Sequence, residues 1–435
     1  METSTHHKAF CLTENKLPIL VVIGAGFAGV NFIKKLKNKP VQIVLLDQHN
    51  FHQFQPLLYQ VAISGLEPDS IISPIRKLFK SSINMIYRMA KVEFIDTIKN
   101  RVQTDVGYVD YNYLVIATGS STNFYGNKNI EQHSIGLKSF HDALNIRSWM
   151  LQNLEKAEDG CNYENKESLI RFVIVGGGPA GVEMAGAIAE FKKYLLKNDY
   201  PEIESSAMRI DLVQAADRIL PDMSSKASTY ALKVLEKLGV NVILNGMVTD
   251  YNGEELKLLQ GDKETIINTS TVVWAAGVKG NALVGLPEST VVPGGRIKVN
   301  QYNGVDQLEN VFAIGDVAAM ITEDNPRGHP MVAQVAIQQG QNLAHNILSH
   351  IELNKFKSAF RYKDKGSMAT IGKKDAVADL NITFLNGRIG WVLWSFIHLI
   401  SITGFKNRIK VGFSWVMKYF TYEKANQLIV RKYKK

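Results

Sequence analysis

Two glycine triplets define the chemistry open to this chain. Gly24, Gly26 and Gly29 stand in G-x-G-x-x-G register inside "LPILVVIGAGFAGVNFIKKL", and Gly176, Gly178 and Gly181 repeat it inside "IRFVIVGGGPAGVEMAGAIAEF". Each triplet lies between an apolar, strand-like run and a helix start, with Phe27 and Ala28 or Pro179 and Ala180 filling the turn. The first glycine makes a tight turn, the second lets a pyrophosphate approach the backbone, and the third lets helix and strand pack closely. The helix start then offers free N–H groups and a positive dipole end to phosphate oxygens. One such triplet is a weak signal, whereas two in matching context are strong.

The elements that must position these turns repeat as well. A second apolar run ends at Asp47 in "VQIVLLD" and at Gln214 in "MRIDLVQ". An acid after the second strand accepts hydrogen bonds from adenosine ribose hydroxyls; Gln214 is neutral where that acid is expected. A further strand-like run ends in the turn Ala117, Thr118, Gly119 in the first half and at Ala276, Gly277 in the second. Gly24 to Gly119 spans 95 residues and Gly176 to Gly277 spans 101. "LENVFAIGDVAAM" adds a short strand ending in Gly315 and Asp316 and running into a helix, and the second half shows no equivalent of it.

The pattern predicts an α/β protein with two Rossmann-like dinucleotide-binding domains, the second inserted in the first. Residues 17–125 and 285–350 form the first domain, 126–284 the second, and 351–435 a small C-terminal region. A chain of 435 residues supports more than one core. Its 46% hydrophobic and 21% charged content is that of a globular protein. Cys11 and Cys161 form neither a close pair nor a metal-ligand spacing, which argues for a reducing compartment. No signal peptide is read at the start. The longest apolar stretch, residues 390–404, falls short of the roughly 18 to 20 residues that span a bilayer. His49 and His52 lack further ligands at suitable spacing, so structural roles and no metal are expected.

"FHQFQPLLYQVAISGLEP" and "VAQVAIQQGQNLA", set in this duplicated frame with its late "GD" motif, are similar to signature segments of the type II NADH:quinone oxidoreductases. These are flavoproteins with two dinucleotide-binding domains, and the resemblance covers residues 17–422. It implies FAD in the first domain and NADH or NADPH in the second, with electrons passed to a membrane quinone. Gly24, Gly26 and Gly29 would hold the FAD pyrophosphate, Asp47 its ribose, and Asp316 its ribityl chain. Thr118 and Gly119 would lie near the flavin. Asp316 also fits a plain helix cap. "PLLYQ", Pro56 to Gln60, has no acid or base and would line the flavin pocket by packing.

Glu183 matches the family's acid near the nicotinamide and flavin, and it also fits a first-turn glutamate favoured by the helix dipole. Ala333, Gln334, Ala336 and Gln338 match the family's "AQ-x-A-x-Q" helix, which makes Gln334 and Gln338 quinone-site candidates. The two amides share a helical face; without the resemblance they read as a solvated stripe. Gln214 departs from the family's usual glutamate. It removes the repulsion of a 2′-phosphate, and Arg218 offers a partner for one, so weakened discrimination against NADPH is expected.

The charge is uneven. Residues 401–435 carry nine basic side chains and one acid, a net +8 against +9 for the whole chain. Helical stretches at Trp391–Ile402 and Ile409–Tyr419 flank Gly404. The second sets Lys410, Ser414 and Lys418 on one face and Val411, Phe413, Trp415 and Val416 away from it, as an interfacial helix does. A dimer or core helix with a solvated basic face fits the same pattern, and the lipid-soluble substrate favours the interfacial reading. The combined expectation is a homodimeric, peripheral enzyme on the cytoplasmic face of the inner membrane that pumps no protons and binds no nucleic acid. Reductases of soluble carriers and non-catalytic flavoprotein sensors are the rival classes. Disulfide reductases and sulfide:quinone reductases would need cysteines beside the flavin.

Overall fold

The computed structural model describes residues 8–12, 16–158, 166–421, 427–429 and 432–433. Cys161 and the basic residues Lys424, Arg431, Lys434 and Lys435 lie outside them, as does the side chain of Lys418. The chain is mixed α/β and divides into two compact units. One gathers Met1–His52, Ser73–Ser121 and Val278–Asp364, and the other Gln53–Ile72, Thr122–Gly277 and Lys365–Lys435.

The first unit is built on a five-stranded sheet in the order Val311–Ala313, Tyr113–Ile116, Ile19–Ile23, Gln42–Asp47, Met85–Met89, with every pair parallel. A parallel sheet is buried on both faces, which is why its central strands read as unbroken apolar runs. Leu20 and Val22 face one way, into a core with Phe32 and Ile33 of the helix Phe27–Leu36 and Leu343 and Ile347 of the helix Ala333–Leu353. Val21 and Ile23 face the other way, with Ile297 and Val299. The two helices touch at Gly340, where a Cβ would meet the carbonyl of Ala28.

The second unit repeats this sheet in the order Ile135–Gly136, Thr271–Trp274, Arg171–Val175, Arg209–Val213, Asn241–Ile243, again all parallel. The edge strand corrects the expectation that Val311–Ala313 has no counterpart. Ile135–Gly136 takes that place beside Thr271–Trp274. It was missed because two residues show no periodicity, and it precedes the second glycine turn instead of following it. The duplication extends to a three-stranded antiparallel meander in each unit, Val92–Asp110 and Met247–Asn268.

Within the second unit, three antiparallel strands, Ser367–Thr370, Ala376–Leu380 and Thr383–Asn386, lead into the helices Gly387–Ser401 and Phe405–Thr421. Gly404, at φ +95°, turns the chain between them in a region that other residues rarely adopt. None of the described helices is long and apolar enough to cross a membrane.

Candidate functional site

The two glycine turns have the same geometry. Gly24 and Gly176 open them at φ +106° and +110°. A Cβ at Gly29 would strike the carbonyl of Gly24, and one at Gly181 that of Gly176, so helix and turn are in backbone contact. At Gly26 and Gly178 a Cβ would meet nothing within 4 Å. These middle glycines border open space at the first turn of a helix that no side chain caps. Free N–H groups around an open cradle fit a pyrophosphate in each unit. Phe27 is half-buried and Ala28 buried, while Pro179 and Ala180 are exposed.

The residue after the second strand braces each turn. Asp47 Oδ2 accepts the Ala25 N–H at 2.6 Å, and its Oδ1 accepts the His49 N–H at 2.8 Å. Burial pushes the Asp47 carboxyl up, and those two N–H groups pull it back. An ionised carboxylate has about four acceptor positions, so two remain for ribose hydroxyls. Gln214 Oε1 accepts the Gly177 N–H at 2.8 Å. Arg218 donates to Pro221 O at 2.6 Å and Ser225 Oγ at 3.1 Å, which ties two of its nitrogens to its own loop. His52 has a structural place: its Nδ1 lies 2.8 Å from Ala25 O, and burial lowers its pKa to about 4, so it stays neutral.

Just after the strand Tyr113–Ile116 of the first unit, Thr118 Oγ1 donates to Asn281 O at 2.7 Å and Asn281 N–H donates to Gly119 O at 3.1 Å. Ser120 Oγ donates to Asp316 Oδ2 at 2.5 Å, and Gly315 N–H donates to Gln339 Oε1 at 2.7 Å. Asp316 lies in a single 3-10 turn, Gly315–Val317, that leads into the strand Ala318–Met320, which corrects the expectation of a helix capped there. Asn281, Ser120 and Gln339 went unnoticed in the sequence, since each acts across a long gap in the chain. In the second unit Tyr125, at φ +52° and well exposed, donates from its hydroxyl to Ala276 O at 2.8 Å, and Asn123 N–H donates to Gly277 O at 3.0 Å.

The amides of the helix Ala333–Leu353 divide in a way the sequence reading does not anticipate. Ala333 and Gln334 are half-buried in its first turn. Gln338 exchanges two hydrogen bonds with the Lys363 backbone, at 2.9 and 3.0 Å. Asn342 and Asn346 continue the row four residues apart, bonding Ser358 and Lys357. The row, half-buried at Gln338 and Asn342 and buried at Asn346, stitches the helix to the returning chain.

Glu183 lies in the first turns of the helix Pro179–Asp199 and is buried. Burial pushes its carboxyl up to about 8, and the Thr370 N–H, 3.4 Å from Oε1, pulls the other way. The strand carrying Thr370 comes this close because Gly186 lacks a side chain, and a Cβ there would meet Gly372 N. Tyr59 Oη lies 2.6 Å from Thr370 Oγ1 and accepts from Gln60 Nε2 at 2.9 Å. "PLLYQ" therefore carries buried polar contacts, which corrects the expectation that it acts by packing alone.

The C-terminal helices are turned outward. Ile389, Val392, Phe396 and Ile400 on one, and Phe405, Ile409, Phe413 and Val416 on the other, are exposed apolar residues at helical spacing. Their inner sides hold Trp394 stacked on His398 at 4.0 Å, and Val411. Lys410 does not join a free basic face: its Nζ is 2.7 Å from Asp69 and 3.4 Å from Glu67.

A family model described as pyridine nucleotide-disulphide oxidoreductase matches residues 19–340, and one described as the NDH2 C-terminal domain matches residues 365–422. The type II NADH:quinone oxidoreductase Ndh of Mycobacterium tuberculosis is 36% identical over 414 residues, covering 92% of this chain and 88% of that protein. The chain belongs to the type II NADH:quinone oxidoreductase family. A second such protein of the same organism, NdhA, is 34% identical, with 92% and 87% covered. Among solved structures, NDH2 from Plasmodium falciparum in complex with NADH superposes with a TM-score of 0.85 at 20% identity, covering 95% of this chain and 100% of that one. That likeness establishes a shared fold.

Proposed function

We propose that this type II NADH:quinone oxidoreductase oxidises NADH, with NADPH as a second donor, and reduces a membrane quinone by two electrons. The observation that carries the reading is the pair of open, uncapped glycine cradles, each braced by the residue after the second strand, within a chain of this family. FAD, when bound, supplies the two-electron redox chemistry. Gly24, Gly26 and Gly29 would hold its pyrophosphate by N–H groups, and Asp47 would accept from its ribose. Thr118, Gly119, Gly315 and Asp316 would hold the rest of it. Gly176, Gly178 and Gly181 do the same for the nicotinamide nucleotide, with Gln214 at its ribose and Ala276 and Gly277 beside it.

Glu183, buried and holding its proton to about pH 8, supplies or keeps a proton at the reacting end. Gln334 is the amide assigned to the quinone. Gln338, held by Lys363, positions the helix that carries it.

The C-terminal helices seat the protein on the cytoplasmic face of a membrane through Phe396, Ile400, Ile409 and Phe413, not through Lys410. A homodimer, as the resemblance implies, is the expected assembly. Reconstitution with FAD tests the core of the reading. NADH should bleach the bound flavin without oxygen, and a quinone should restore its colour. Loss of that bleaching in Gly26→Trp with normal folding is expected; unchanged bleaching contradicts the assignment of the first cradle.

A further inference from the structure

The helix Phe405–Thr421 is fastened to the segment Gln53–Ile72 of the same unit at three places. Trp415 Nε1 donates to Gln60 Oε1 at 2.9 Å, Lys410 pairs with Asp69 and Glu67, and Asn407 Nδ2 donates to Ile72 O at 2.8 Å. Gln60 hands the contact inward, since its Nε2 donates to Tyr59 Oη at 2.9 Å. That bond takes one acceptor position of the buried phenol, and the Tyr59 and Thr370 hydroxyls share a hydrogen bond at 2.6 Å. Thr370 in turn presents its backbone N–H to Glu183. An unbroken row of contacts thus runs from an indole on the outward-facing helix to a buried carboxyl.

Two features decide what this row can do. Glutamine does not carry protons, so the row transmits position and not charge. Its last contact, 3.4 Å from Thr370 N to Glu183 Oε1, is at the long limit of a hydrogen bond. A few tenths of an ångström in the Thr370 strand make or break it.

Other titratable groups lie near this helix. Tyr230 bonds Asp375, Asp211 pairs with Arg171, and Lys373 lies over the Tyr194 ring. Glu190 flanks Gly372, its Oε2 buried and without a hydrogen-bond partner among the described residues, and the Glu183 carboxylate adds to the upward push on the Tyr59 phenol.

We infer that Tyr59, Gln60 and Trp415 are positioning residues for Glu183, and that the seating of the C-terminal helix is transmitted through them to this buried acid. The inference rests on the NADH:quinone reading for its functional meaning and on the contacts above for its geometry. Losing the Thr370 N–H bond removes an interaction that favours ionised Glu183, so its titration moves to higher pH.

The test uses the FAD-loaded full chain. Infrared difference spectra follow the protonated-carboxyl band of Glu183, identified by its loss in Glu183→Gln, and the pH profile of quinone turnover is recorded beside it. In Tyr59→Phe both midpoints should rise by about half a pH unit or more. In Trp415→Phe, which keeps the contact with Trp394, they should rise by less, with the KM for NADH within about twofold of the parent in both. Should Tyr59→Phe not fold, Trp415→Phe carries the test alone. A carboxyl midpoint unmoved in the folded variants overturns the inference. Absent quinone turnover in the parent overturns the functional reading instead, and the infrared midpoints still decide the positioning.

Discussion

Gln214 takes from Gly177 the hydrogen bond that Asp47 takes from Ala25. Gln214 follows the strand Arg209–Val213 and Asp47 ends the strand Gln42–Asp47, and the side-chain oxygen of each accepts the N–H of the middle residue of its G-x-G turn, at 2.8 and 2.6 Å. The glutamine thus keeps the bracing role of the acid while giving up its charge. Its Nε2 makes no hydrogen bond among the described residues and is left to donate to whatever lies at the ribose. NADPH should therefore be used, with kcat/KM within about a hundredfold of NADH. Gln214→Glu should widen the preference for NADH by about tenfold or more, as a like charge beside the 2′-phosphate. An NADH preference of several orders of magnitude in the parent contradicts this.

The glycines of the second turn separate binding from folding. Gly178 has extended backbone at φ −71° and empty space around its missing Cβ. Gly178→Ala should leave the melting temperature unchanged and raise the KM for NADH by about tenfold, since the methyl enters the space kept for phosphate. Gly181→Ala should instead destabilise the fold by about 1–3 kcal/mol, because its methyl meets the Gly176 carbonyl. Equal melting curves for the two variants would falsify this division.

Glu183 gives stability a pH dependence of known sign. Its carboxyl is raised from 4.5 to about 8 in the folded protein, so the folded state binds a proton that the unfolded state has lost. Stability is fully present below 4.5 and is lost as pH rises towards 8, by about 1.4 kcal/mol per pH unit at most. Glu183→Gln lacks this term. Its melting temperature relative to the parent should climb between pH 5.5 and 8, and a constant difference would contradict the burial of the acid.

The outward face of the C-terminal helices should bind lipid by its apolar residues. Phe396→Asp with Phe413→Asp should release the protein from vesicles by about tenfold or more, each phenylalanine contributing about 1.5–3 kcal/mol on burial. Lys410→Gln should change binding to anionic vesicles by less than about twofold, since that charge is paired with Asp69 and Glu67. Co-sedimentation with vesicles of defined charge measures both, and a large effect of Lys410→Gln would restore the basic-face reading.

The parts of this account that were legible in the sequence are local ones. The glycine triplets, Asp47 and Gln214 stand at fixed offsets from apolar runs, and their geometry follows from backbone sterics over a few residues. What was hidden depends on distant chain segments. Tyr59 meets Thr370 across 311 positions and Thr370 meets Glu183 across 187, and no periodicity reports such pairs. Amides are ambiguous for another reason. Gln338 and Gln339 are adjacent, yet one binds the Lys363 backbone and the other the Gly315 N–H. Lys410 looked like part of a solvated basic face because its partners, Glu67 and Asp69, lie some 340 positions away.

Steady-state turnover of the FAD-loaded protein with NADH and a water-soluble quinone tests the central claim most directly. One quinone should be reduced per NADH oxidised, and turnover should be abolished when the flavin is removed. NADH oxidation that proceeds unchanged without flavin, or that never passes electrons to a quinone, would contradict it.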